Sequence, residues 1–188
     1  MNLIFLNTGF IVLFALSISG CYSVPQLTDD REDLNVKKVA LFPFRNESGT
    51  IGAGKIVTNT FLVVLFKNAT FKMEEKGNIE RFLARSKVRD TKKISLKQLN
   101  LLGESLGIDA VLTGTVAEFL GGGKRAGSMT PVVSIRARLT DVRTGKILWM
   151  ARHRKTGNDY ITIFDFGAVR SVNALARRVI SEMIKTIR

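Results

Sequence analysis

Apolar and polar positions follow two rhythms along this chain, and each change of rhythm marks an element. Val39 to Phe44 form a short continuous apolar run closed by Asn46-Glu47-Ser48-Gly49, which predicts a buried strand. From Gly54 to Lys67 the residues Ile56, Val57, Thr60, Phe61, Val64 and Leu65 recur at helical spacing. Phe71 to Glu75 reads as a second strand. A helix from Asn78 follows, with Ile79, Phe82 and Leu83 as its inner face. Ser95-Leu96-Lys97-Gln98 fits a capping box, with Leu96, Leu99, Leu102 and Leu106 as the buried stripe and Gly107 as the stop. Ile108 to Phe119 is a long strand.

The rhythm then becomes strict alternation. Val133, Ile135, Ala137 and Leu139 interleave with Ser134, Arg136, Arg138 and Thr140, and KILWMARHRK returns after a turn at Asp141 to Gly145, so a β-hairpin is predicted. LGGGKRAGSMTP (120–131) before it is a loop by composition. GNDYITIFDFG (157–167) after it reads as a packed connector. A last helix from about Ala168 to Ile187 places Val169, Val172, Ala176, Val179, Met183 and Ile187 on one face, with Arg170, Arg177, Arg178, Lys185 and Arg188 outside it. Alternating helices and strands define an α/β chain in one three-layer-like domain, a mixed β-sheet flanked by helices. Residues 36–188 are its expected span.

The two ends of the pattern differ from this body. The first twenty residues carry no charged side chain, hold an apolar stretch from Phe10 to Ile18, and end in small residues before the single cysteine. That is the layout of a secretory signal peptide over 1–20. Ile18-Ser19-Gly20-Cys21 resembles the bacterial lipobox, which implies lipidation at Cys21. The signal lacks the usual basic residue near its start. A membrane-spanning helix is the competing reading, but the run is broken by Asn7, Thr8 and Gly9 and no basic cluster follows it. Residues 21–35 hold Pro25 and four carboxylates between Asp29 and Asp33, as a solvated tether would.

Charge narrows the partners. The chain carries a formal +13. In an exported protein the anions at hand are lipid head groups, cell-wall polymers and acidic protein faces, so nucleic acid is not an expected partner. With Cys21 lipidated no thiol remains, and stability must come from an ordinary core.

Candidate chemistry is sparse. SGTIGAGKIVTNT (48–60) imitates a P-loop through Gly49, Gly54 and Lys55, yet Ile56 stands where Mg²⁺ needs a hydroxyl, so no nucleotide or other cofactor is expected. His153 is the only histidine, which leaves neither a His-pair metal site nor a triad. Glu74 and Glu75, as neighbours in a strand, should point to opposite faces, and the carboxylates at 29–33 lie in the tether. Neither set supplies the facing pair that acid–base chemistry requires, and the protein is not read as an enzyme.

One feature stands out. A hairpin register that joins Ile135, Ala137 and Leu139 to Ala151 and Trp149 forces Arg136, Arg138, Arg152 and Arg154 onto the opposite face. Facing cations cost a few tenths of a kcal/mol or more per pair (about 0.2–1), which suggests an anionic counterpart. The bland alternative is a solvated face neutralised by Glu118 or Asp141. The functional reading is a surface for an acidic protein partner or a neighbouring subunit in a homo-oligomer. A second basic stretch, RSKVRDTKK (85–93), reads as a solvated loop, with a place near lipid head groups at the membrane surface as the alternative.

VALFPFRNESG, FKMEEKGNIERFLARSKV, LKQLNLLGESLGIDAVLTGTVAEF and IRARLTDVRTGKILW, in this order, resemble the CsgG-like family of bacterial lipoproteins. That family includes the curli secretion-channel lipoprotein and is similar in fold to lipoprotein activators of penicillin-binding proteins. The resemblance implies an anticodon-binding-domain-like fold and an outer-membrane lipoprotein facing the periplasm, with Tyr22 rather than Asp after the cysteine. It implies a binding or assembly role in secretion of an extracellular polymer or fibre. The alternative is activation of a peptidoglycan synthase. The twelve residues 120–131 are too short and too charged for the two membrane strands of ~9–11 residues that a barrel hairpin needs. A tether of about fourteen residues reaches at most ~50 Å.

Overall fold

The computed structural model describes residues 35–88, 90–121, 129–162 and 166–187, with the backbone alone at Lys92. The signal, Cys21, the acidic tether and most of the glycine loop at 122–128 lie outside these residues. The strands are β1 (Lys38–Leu41), β2 (Arg45–Asn46), β3 (Lys72–Met73), β4 (Ala110–Leu120), β5 (Val132–Asp141) and β6 (Ile147–Thr156). The helices are α1 (Ala53–Asn68), α2 (Lys76–Arg85), α3 (Leu96–Leu106) and α4 (Val172–Ile184).

The sheet runs β3-β1-β4-β5-β6, with β2 continuing beside β4. Strand β1 pairs in parallel with β3 and β4, and β2 in parallel with β4, while β4-β5 and β5-β6 are antiparallel. Topology places the helices. The β1-α1-β3 crossover and the β3-α2-α3-β4 crossover move in opposite directions across the sheet, and crossovers of one hand then lie on opposite faces. The result is three layers: α1 with α4, the mixed sheet, and α2 with α3.

Two hydrophobic clusters follow from this. The larger joins Val57, Phe61, Leu65, Leu175, Val179 and Met183 of α1 and α4 to Leu112, Ile135, Ala137 and Leu139 of the sheet. The smaller joins Ile79, Phe82 and Leu83 of α2 and Leu99 and Leu102 of α3 to Ala40, Phe42, Val111 and Val142. Each fully buried aliphatic or aromatic side chain contributes roughly 1.5–3 kcal/mol. Gly114 makes one packing contact possible: a Cβ there would sit 2.0 Å from the Phe44 ring, which lies on β4 and stacks on Phe61 at 4.6 Å.

The capping box forms as expected, with the Gln98 amide donating to Ser95 Oγ and the Ser95 amide to Gln98 Oε1, and Gly107 closes α3 at φ 61°. The inner face of α2 is Ile79, Phe82 and Leu83. Several expectations are corrected. Leu96 is exposed rather than part of the buried stripe, because the first turn of α3 overhangs the sheet beside Ile147 and Gly145. The strand expected over 71–75 pairs only at Lys72 and Met73. Glu74 and Glu75 therefore do not share a strand: Glu74 is buried against Lys38, and Glu75 sits at the N-terminus of α2. The last helix starts at Val172, four residues later than its pattern suggested. The connector at 157–160 is a 3₁₀ turn whose Tyr160 packs on the larger cluster, and residues 163–165 lie outside the described ones.

Candidate functional site: an open arginine face on the hairpin

The hairpin register is the expected one. Ala137 faces Ala151 and Leu139 faces Trp149, so Ile135, Ala137 and Leu139 enter the larger cluster. Arg136 then stands directly across from Arg152, Arg138 across from Met150, and Arg154 across from Ser134, all on the opposite face. A bulge between Val116 and Glu118 in β4 shifts the pairing by one residue, which brings the Glu118 carboxylate to that same face.

Helices α2 and α3 cover this face only over β1 and the start of β4. Beyond them lies a recess of about 390 Å³ floored by Thr113 and Thr115 of β4, with Arg136, Arg138, Met150 and Arg152 around it and Thr91 at the helix side. Thr113, Thr115 and Ser134 are buried beneath the arginines. Met150 is 70% exposed in the midst of them, an apolar side chain with no cover among the described residues.

The four guanidinium groups are not equivalent. Arg154 donates twice to Glu118, from Nε at 2.9 Å and Nη2 at 3.0 Å. The Arg154 hydrogen bond, with a smaller contribution from the charge of Arg152, holds the Glu118 carboxyl below the usual range. Arg136 donates to Glu47 at 2.9 Å, and Glu47 is shared with Arg45. Arg138 donates from Nε to the Thr113 hydroxyl at 3.3 Å, a neutral acceptor. Arg152 faces Arg136 and forms no ion pair among the described residues. Two arginines thus have carboxylate partners while Arg138 and Arg152, beside the recess, do not.

The neutralising residues are partly those expected. Glu118 serves, but Asp141 does not. Its carboxylate accepts from the amides of Arg143 and Thr144 and from the Thr144 hydroxyl, closing the hairpin turn. Burial alone would raise that carboxyl, and these donors outweigh it and hold it low. Glu47, contributed by the segment after β2, was missed because no local pattern links it to a strand 89 residues away.

The glycine loop before α1 is explained by packing. Gly49 and Gly52 have φ of 76° and 78°, and a Cβ on Gly54 would lie 2.6 Å from the Phe44 carbonyl oxygen. Thr58 accepts the Phe44 amide through its hydroxyl at 2.9 Å, tying helix to strand.

His153 lies on the closed face, its Nδ1 3.9 Å from a Glu182 carboxylate oxygen. Neither His153 Nδ1 nor the Tyr160 hydroxyl, both buried, has a hydrogen-bond partner within the described residues. Burial, then the neighbouring Glu182 carboxylate, pushes the Tyr160 phenol well up, and Arg178 lies 4.2 Å from its ring centre. Among the described residues no three His, Cys, Asp or Glu side chains gather as a metal site would require.

The described residues thus form a three-layer α/β domain whose sheet carries an open cationic patch. Residues 36–188 match the family described as "Putative lipoprotein GNA1162-like", and the chain belongs to that family. This corrects the CsgG-like resemblance, which is not supported. No curated protein matches the chain. Among solved structures, lipoprotein GNA1162 from Neisseria meningitidis is 22% identical, covering 80% of this chain and 99% of that one, with a TM-score of 0.55. The PelC dodecamer from Paraburkholderia phytofirmans is 20% identical, covering 82% and 86%, with a TM-score of 0.54. The LpoB C-terminal domain from Salmonella enterica is 13% identical, covering 63% and 82%, at 0.49. At these identities the likeness is one of fold, and the LpoB match is too loose to support more.

Proposed function

We propose that this protein is a lipid-anchored periplasmic binding protein of the outer membrane, acylated at Cys21, whose arginine face holds an acidic segment of a protein partner. The observation that carries the reading is the recess left open by α2 and α3, in which Arg138 and Arg152 flank exposed Met150 without a carboxylate of their own. Buried threonines support the patch from below, so it is held by the sheet rather than by a loop. An extended acidic strand suits this surface, because β6 is the sheet edge and its backbone is available beside the cations. The role is non-catalytic.

Secretion of a curli-type fibre loses its basis with the family reassignment. Two partner classes remain for the same face: a periplasmic enzyme such as a peptidoglycan synthase, or a second copy of the chain, an arrangement for which the dodecameric PelC offers a precedent of similar fold. The test is the mass of the detergent-solubilised mature lipoprotein by light scattering, with intact mass spectrometry for the acyl groups. It is run on the native protein and on the Arg138→Glu/Arg152→Glu variant. A defined ring that the variant dissolves assigns the face to a neighbouring copy. A monomer in both, with a penicillin-binding protein retained by the native form alone, assigns it to the enzyme. Identical mass and identical retention would rule out the arginine face.

A further inference from the structure

Helix α1 is apolar on both sides. Its inner side, Val57, Phe61, Val64 and Leu65, is buried in the larger cluster. Its outer side carries Ile56, Val63 and Phe66, which are 37%, 49% and 84% exposed. At 100° per residue these three fall within one arc, which they share with Asn59 and which is bordered by Lys55 on one flank and Lys67 on the other. The helix contains no acidic residue over Ala53–Asn68. A helix with large apolar side chains on a second side is normally covered there too, and nothing among the described residues covers Phe66 and Val63.

The neighbouring surface is polar and cationic. A groove of about 280 Å³ between α1 and α4 is lined by Val63 and Val64 and otherwise by polar side chains, among them the cations Lys67 and Arg177. The single carboxylate of α4, Glu182, is turned toward His153. The position of the stripe in the fold is also specific. Helix α1 ends at Asn68 and the chain turns directly into β3, whose Lys72 pairs with Lys38 and donates its amide to Lys37. Phe66 and Lys67 therefore stand at the end of the domain where β1 begins, together with exposed Lys37, Lys72 and Lys185.

We propose that the outer face of α1 is a membrane-contact surface that rests on an anionic phospholipid layer. Phe66 and Val63 enter the headgroup–acyl boundary while Lys55, Lys67 and Arg177 meet the phosphates. A planar lipid surface fits an apolar wedge with cations on both flanks and no acid between them. Pairing with a second copy through the same stripe would bring like charges together, since it carries lysines and no carboxylate to answer them. The surface complements the proposed lipid anchor but does not depend on it: an acyl chain at Cys21 would hold the protein at a bilayer, and α1 would set which way the domain lies.

Residues 22–188 contain both hydrophobic clusters entire and lack the acyl site, so their vesicle binding tests this surface apart from the anchor. The probes are vesicles of phosphatidylethanolamine with phosphatidylglycerol, and of phosphatidylcholine alone. Sedimentation is expected with the anionic vesicles, weakening as salt rises, and falling about tenfold or more in Phe66→Glu, which removes an apolar side chain from the boundary. Because Phe66 is exposed the variant keeps its fold, which circular dichroism checks. In a Phe66→Trp/Trp149→Phe protein, the emission is expected to shift to the blue and to be quenched by brominated lipid. No binding to anionic vesicles, or binding that Phe66→Glu leaves unchanged, overturns the proposal. So does a native oligomer that Phe66→Glu dissolves without altering vesicle binding, since a second copy then covers the stripe.

Discussion

The two faces of the β4–β6 region are built from alternate residues of the same strands, but they serve opposite ends. Ile135, Ala137 and Leu139 are sealed beneath α1 and α4, while Arg136 and Arg138, each one residue away along the same strand, look outward from a bare recess. Strand alternation alone gives every half-buried sheet an outward set. What sets this one apart is that α2 and α3 stop short of it, and that only two of its four arginines meet carboxylates. A sealed face is governed by packing and tolerates little; an open one is governed by charge and can change with little cost to folding. The outward face can therefore be changed apart from the packing that stabilises the fold, which separates stability from the proposed binding.

The largest expected effect lies on the sealed face. Phe61→Ala removes a fully buried ring stacked on Phe44, and should destabilise the domain by about 3–5 kcal/mol, read as a lower urea midpoint. A loss under about 1 kcal/mol would mean that the α1 layer is loosely packed.

The next effect sharpens the comparison through pH. Burial would raise the Glu74 carboxyl, but hydrogen bonds from the Lys38 ammonium, the Asn78 side chain and the Glu75 amide outweigh it and set the folded pKa below the ordinary value of 4.5. A carboxyl lowered on folding stabilises the fold above its unfolded pKa, and that contribution is lost as pH falls through the folded value. Glu74→Gln should therefore cost about 1–3 kcal/mol at neutral pH. The gap to the native protein should close as the pH is lowered past 4.5. A gap constant with pH would show that packing rather than charge holds Glu74.

The smallest effect on folding belongs to the open face. Arg152→Ser relieves the Arg136–Arg152 confrontation and should raise stability by a few tenths of a kcal/mol (about 0.2–0.5). The same change should weaken retention of an acidic partner by a factor that shrinks as salt is added. Equal loss of stability and binding would break the proposed division between the faces.

Much of this was legible in the linear pattern because it rests on local physics. The period of two placed four arginines on one side of the hairpin, and the Ser95–Gln98 capping box needed only four consecutive residues. Leu96 was misread because helical spacing says which residues share a face, not how far the sheet beneath extends. Glu47 as partner of Arg136 and Lys38 as partner of Glu74 were invisible, since each pair joins segments far apart in the chain. The outer apolar side chains of α1 were visible as residues, but their exposure was not: a large apolar side chain on a helix reads as buried until its surroundings are known.

The sequence by itself determined the element order, the hairpin register and the cationic character of its outward face, because these follow from side-chain periodicity and net charge. Only the tertiary structure decided which arginines are neutralised, that α2 and α3 leave a recess over Thr113 and Thr115, and that Phe66 stands bare. Those depend on where two crossovers lay their helices across one sheet, a property of the whole chain that no local window contains.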